Sequence, residues 1–197
     1  MKKQNKAIVG RHCSFITFNI VDWVDVFIRP ACKEVISEAL NRFIESGKAV
    51  VYAWCLMSNH LHLLVATKDN AALAAFEKEF KKFTSSRILD LLAYEPDLRR
   101  NWMLQRFEHC SQSLKCIDRF QLWQNCINPS YIEFRQLFKL QERVLYIHEN
   151  PVRDSIVSKP EEYLYSSARD YAGRKGLVNI QIIDFAELRK AVLKNDQ

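Results

Sequence analysis

The run "MSNHLHLLV" at residues 57–65 sets His60 and His62 one residue apart in an otherwise apolar stretch. Side chains alternate faces along an extended strand, so His60, His62, Leu64 and Ala66 share one side. Leu61, Leu63 and Val65 share the other and are expected to pack into the core. Two imidazoles at this spacing stand about 6–7 Å apart at their Cα atoms and can converge on one divalent ion. An H-x-H pair also arises by accident. Two polar residues on the exposed face of a half-buried strand is the plainer reading of this stretch alone.

A second candidate lies more than eighty residues away, in "ERVLYIHENPV" at 142–152. Leu137, Leu140, Val144 and Ile147 recur at helical spacing and define an apolar stripe. Tyr146 falls nearly opposite that stripe, and Asn150, one turn later, lies on the face of Tyr146. Such a tyrosine either packs on a neighbouring element or is free for chemistry. Asn150 before Pro151 equally reads as the residue that ends a helix. His148 is rotated about 200° from Tyr146 and does not share its face.

Positioning these groups takes a sheet and helices. "HCSFITFNIVDWVDVF" (12–27) is rich in β-branched and aromatic residues and predicts a strand leading into a turn. "RPACKEVISEALNRFIESGK" predicts a helix punctuated by Pro30 and Gly47. "AVVYAWCLM", the turn "SN" and "HLHLLVA" form a hairpin. Residues 70–95 predict a long amphipathic helix striped by Leu73, Phe76, Phe80, Phe83 and Ile88. Residues 95–120 suggest a further helix with a polar connection, and "QLWQNCI" (121–127) a short edge strand. "YIEFRQLFKLQERVLYIHEN" (131–150) is expected to be helical and to halt at Pro151. The tail combines a Gly-marked turn, a short β-like piece and a last helix. The order predicts an α+β, ferredoxin-like (RRM-like) antiparallel sheet with helices on one face, plus a C-terminal helix and tail.

Composition bounds the function. At 197 residues, 48% hydrophobic and 26% charged, the chain suits one domain, with a core over about 12–157 and an extension over 158–197. It has no apolar run of transmembrane length. No apolar stretch follows the basic "MKKQNKAIVG", so the expected location is cytoplasmic. The six cysteines form no C-x-x-C pair, which argues against a zinc knuckle or a disulfide framework. A net charge of +6 permits a polyanionic partner. Arg11, Lys78, Lys81, Lys82 and Arg87, with Lys2, Lys3 and Lys6, are candidates to contact it, although Glu77 and Glu79 interrupt the helical cluster.

Taken in order, "WCLMSNHLHLLV", "LWQ", "VLYIHENPVRDSIV" and "PEEYLYSSARDYAG" resemble the REP-associated tyrosine transposases of the HUH superfamily, the IS200-like single-tyrosine transposases. The resemblance runs from about residue 12 to 176. It implies that His60 and His62 are metal ligands, Tyr146 the nucleophile and Asn150 the polar residue completing the metal site. It further implies Mg²⁺ or Mn²⁺ as cofactor. The implied partner is single-stranded DNA carrying hairpin (REP-like) elements, handled by a monomer or homodimer.

The implied chemistry is coherent. A phenol is a weak nucleophile and a phosphodiester a poor electrophile, so a Lewis acid between them helps both. Attack would leave a 5′-phosphotyrosine and a free 3′-hydroxyl, conserving the ester energy for strand transfer. The chain departs from the family's pattern at Asp154-Ser155, where a small residue and glycine are usual. It departs again at "MSNH", where Met-Pro-Asn-His is usual, and in "NCINPSYIEF", which lacks the usual basic and aromatic pattern. Two other functions suit the same residues. One is a domesticated regulator that binds single-stranded nucleic acid without turnover. The other is an H-x-H metallohydrolase using water.

Overall fold

The computed structural model describes residues 12–94, 98–113, 119–125 and 129–195. Four strands, β1 (His12–Asn19), β2 (Val50–Leu56), β3 (His60–Ala66) and β4 (Ser130–Glu133), form an antiparallel sheet in the order β2-β3-β1-β4. This is the ferredoxin-like α+β arrangement expected from the element order. The β1–β3 register sets Thr17 opposite His62 and Asn19 opposite His60.

One face of the sheet carries three helices. α1 (Pro30–Glu45) starts on a proline whose missing N–H has no intrahelical partner to lose, and Gly47, at φ +70°, follows its end. α2 (Asn70–Tyr94) buries Leu73, Phe76, Phe80, Thr84, Ile88 and Leu92 at intervals of three or four residues, the period of a core-facing helix. α3 (Arg100–Ser113) adds Met103 and Phe107. All three pack on Ile16, Phe18, Leu61, Leu63 and Val65, so the leucines alternating with the histidines do fill the core. Among the described residues no helix is long and apolar enough to cross a membrane.

Thr84 occupies a core position that hydrophobic patterning assigns to its half-buried neighbour Phe83. Its hydroxyl accepts the buried indole N–H of Trp123 at 2.9 Å and donates to the Phe80 carbonyl at 2.8 Å. Thr84→Val keeps the shape but strands the indole N–H. It is expected to destabilise the fold by about 1–3 kcal/mol, read as a lower urea midpoint with an unchanged slope.

α4 (Leu137–Arg153) covers the other face, packing Leu140, Val144 and Ile147 on Cys13, Ala53, Cys55, Leu64 and Ala66. The sheet is therefore covered on both sides, and the histidine face lies toward α4. Three boundaries differ from the sequence reading. The edge strand is Ser130–Glu133 and not the expected 121–127, of which residues 126–127 lie outside the described residues: Leu122 and Trp123 are buried, and Trp123 makes a lone bridge to Ile20. Residues 131–133 pair with β1, which delays the helix to Leu137. The helix also passes Pro151 and ends at Arg153. Pro151 sits in the last turn, where little helix remains to break. Its carbonyl accepts the Ile156 N–H at 2.8 Å, while Ser155 donates to Val152 at 2.9 Å. That closure needs a left-handed residue, and Ser155, at φ +58°, supplies it where the family pattern has glycine.

The tail returns along β2. Leu56 N–H donates to Tyr165 O at 2.9 Å, Ser166 bridges Cys55, and Gln181 N–H donates to Val51 O at 2.9 Å. Tyr163 and Ile183 enter the α4-side core. Two short helices, α5 (Ala168–Tyr171) and α6 (Phe185–Asn195), lie in the tail.

Candidate active site

The sheet and α4 bring the two distant motifs together. The rings of His60 and His62 are 4.7 Å apart, and the Tyr146 ring lies 5.3 Å from that of His62. Tyr146 is not opposite the buried stripe, as ideal helical spacing suggests. It occupies a half-buried flank of α4 and meets Phe15 of β1 edge-on at 6.0 Å. Asn150, one turn on, donates through Nδ2 to the Tyr146 carbonyl at 2.6 Å, and its side chain also acts on the His62 ring.

Hydrogen bonds orient both imidazoles. Asn59 donates through Nδ2 to Trp23 O at 3.2 Å and to Asp25 Oδ1 at 3.1 Å. Its Oδ1 therefore faces His60 Nδ1, at 2.8 Å, and the proton of a neutral His60 belongs on Nδ1. The Nε2 atom of His60 then carries a lone pair that accepts no hydrogen bond among the described residues. His62 Nδ1 meets the Thr17 hydroxyl at 2.9 Å, while its Nε2 is buried with no hydrogen-bond partner among the described residues. A buried polar atom without a partner is costly, and a bound cation would satisfy it.

Electrostatics keep these rings neutral. Burial first, then the neighbouring His60, pushes the His62 pKa down to about 3; Arg143 acts the same way and the Asn150 side chain opposes it. Burial also lowers that of His60, against the Asp154 carboxylate. Neutral imidazoles are the ligating form. Among the described residues no three His, Cys, Asp or Glu side chains cluster to hold a metal. The fitting donor set is His60, His62 and the amide oxygen of Asn150, which suits a hard divalent ion that retains open positions.

His148 belongs elsewhere. It is buried, contacts Ser167 Oγ through Nε2 at 2.8 Å and meets the Tyr171 ring at 5.0 Å. Burial lowers its pKa to about 4. The unfolded chain takes up this proton near pH 6.5 and the folded protein only near 4, so the contribution is fully present above 6.5 and lost as pH falls. Stability is expected to drop by on the order of 3 kcal/mol across that window from this residue. Urea midpoints at pH 7 and pH 4.5 check this, and His148→Gln should shrink the difference.

The sequence reading missed the guanidiniums. Arg143 lies 4.5 Å from the centre of the Phe15 ring and 5.5 Å from that of Tyr146, and Arg153 lies 5.3 Å from that of Tyr146. Neither forms an ion pair among the described residues, and Arg143 Nε is buried without a hydrogen-bond partner. Their offsets of three and seven residues from Tyr146 are same-face helical spacings and were the available signal. The basic residues singled out on α2 sit on the opposite face of the sheet from Tyr146. Lys81 is engaged with Glu77 at 2.7 Å and the Gln124 carbonyl at 2.9 Å. Lys82 and Arg87 line a cavity of about 520 Å³ between α1 and α2, and Lys78 is exposed. Arg11, Lys2, Lys3 and Lys6 lie outside the described residues.

Residues 24–109 match the family model described as "Transposase IS200 like". The fold is similar to a solved structure described as a REP-associated tyrosine transposase bound to a REP hairpin. The two share 14% identity and a TM-score of 0.56, over 93% of this chain and 96% of that one. No curated relative matches the sequence. The matched stretch includes His60 and His62 and stops short of Tyr146 and Asn150.

Proposed function

We propose that the protein is a single-stranded DNA endonuclease and strand transferase, cleaving near hairpin repeats with Tyr146 as nucleophile. His60, His62 and Asn150 would hold a divalent metal, Mg²⁺ or Mn²⁺. One observation carries the reading: a tyrosine flank on α4 meets two neutral, oriented imidazoles on β3, with a 5.3 Å ring separation between Tyr146 and His62. The match to the IS200-like transposase model supports the reaction class. The hairpin bound to the structurally similar protein supports the partner.

The Tyr146 hydroxyl would attack a backbone phosphorus, losing its proton as the new P–O bond forms. The bond to the 3′-oxygen breaks, giving a 5′-phosphotyrosine and a free 3′-hydroxyl. Arg143 and Arg153, held beside the Tyr146 ring and without a carboxylate partner among the described residues, would grip the phosphate oxygens through charge-assisted hydrogen bonds. Phe15 and Thr17 fix the ring positions of Tyr146 and His62. A bound metal would supply Lewis-acid polarisation of the phosphate. The reverse attack by a different 3′-hydroxyl joins strands without external energy.

The test uses single-stranded oligonucleotides built on inverted repeats flanking the gene, incubated with and without Mg²⁺ or Mn²⁺. A covalent protein–DNA adduct paired with a fragment ending in a free 3′-hydroxyl is the expected product. Binding without cleavage on every such substrate would favour a regulator that does not turn over. Cleavage with free ends and no adduct would favour a water nucleophile.

A further inference from the structure

Trp23 is 56% exposed and leaves much of a large aromatic ring in water. Its ring lies 6.2 Å from that of His60, at a 79° angle, so it stands at the edge of the proposed metal site. Ordinary loop wandering does not account for its position. Asp22 and Trp23 both adopt left-handed backbone, at φ 52° and 55°, a conformation that is strained for a bulky residue. The surroundings hold that strain in place. Ile20 N–H donates to Asn59 O at 2.9 Å, and Phe27 N–H to Ser58 O at 2.8 Å. Asn59 Nδ2 donates to Trp23 O at 3.2 Å while its Oδ1 accepts from His60. One asparagine thus fixes both the imidazole and the segment presenting the indole.

From this we infer that Trp23 is a stacking platform for an unpaired nucleobase flanking the reacting phosphate, a specificity-bearing subsite of the single-stranded substrate. The inference rests on the DNA-processing reading above. Every base has a π-face, so an exposed, immobilised indole beside a phosphate-handling site captures single strands with little sequence demand. Pairing would hide the base. A platform of this kind therefore selects unpaired nucleotides next to a hairpin over duplex.

The experiment places 2-aminopurine, and separately an abasic residue, at each unpaired position of the repeat-derived oligonucleotide. At one position, quenching by the full-length protein is expected, and Trp23→Ala should remove it. Trp23→Ala should weaken binding roughly 5- to 100-fold, with most of the loss recovered in Trp23→Phe. An abasic residue at the quenched position should weaken wild type similarly and add nothing in Trp23→Ala. Unchanged affinity in Trp23→Ala, or effects of the two changes that simply add, would overturn the subsite. Adduct formation by wild type on the unmodified strand separates the two readings. An adduct without a Trp23-dependent position sinks only the platform, and a Trp23-dependent position without an adduct sinks only the transferase.

Discussion

Tyr146→Phe is expected to bring covalent adduct formation below detection while leaving the protein folded and able to bind the same hairpin-bearing strand. The reasoning is local. The hydroxyl of Tyr146 makes no hydrogen bond among the described residues, whereas its ring contacts Phe15 and His62. Removing one oxygen therefore deletes the nucleophile and spares the packing, and unfolding free energy should move by no more than about 0.5 kcal/mol. Denaturing gels of protein mixed with end-labelled oligonucleotide read the adduct, and filter binding reads affinity. A shifted band that persists in the variant would assign the nucleophile to another residue.

The second large effect is expected at His62. Replacing it should slow adduct formation roughly a hundredfold or more, because in the proposed mechanism His62 holds the ion that stabilises the charge developing on phosphate. His62 is only 5% exposed, and His62→Ala would leave both a void and an unpartnered Thr17 hydroxyl. His62→Gln keeps volume and a polar end, so it is the cleaner variant. Two readouts distinguish ligand loss from misfolding: near-native urea stability, and partial recovery at high Mn²⁺ concentration. Chelation should reduce wild type to the level of the variant. Wild-type rates in His62→Gln would remove the metal assignment while leaving Tyr146 standing.

Much of this architecture follows from short-range pattern. The alternation in "HLHLLV" predicts which residues of β3 meet the α1–α2 core, and Leu61, Leu63 and Val65 do so. Proline and glycine mark α1 closely. What resisted was whatever depends on pairing or tilt. The strand at Ser130–Glu133 buries only Ile132, so its pattern is too weak to outbid "QLW", whose residues are buried without joining a ladder. Tyr146 sits far from the stripe on an ideal helical wheel. The packing of α4 across the sheet turns that flank toward β1 and β3 instead. Thr17 acquires its role only through the β1–β3 register, which no local spacing encodes. The α2 lysines illustrate the converse. A basic stripe is visible in sequence, but the face it occupies is decided by which side of the sheet the helix covers.

The return of the tail along β2 has a consequence for association. An edge strand offers unpaired N–H and C=O groups to any other chain, and a second copy is always at hand. Here Tyr165, Ser166 and Gln181 occupy groups on Leu56, Cys55 and Val51. Residues 165–181 thus act as a guard on that border of the sheet. Self-assembly through β2 would first have to peel the tail away, exposing Tyr163 and Ile183 and stripping Ser167 from His148. The β2 border of the sheet is thus already taken.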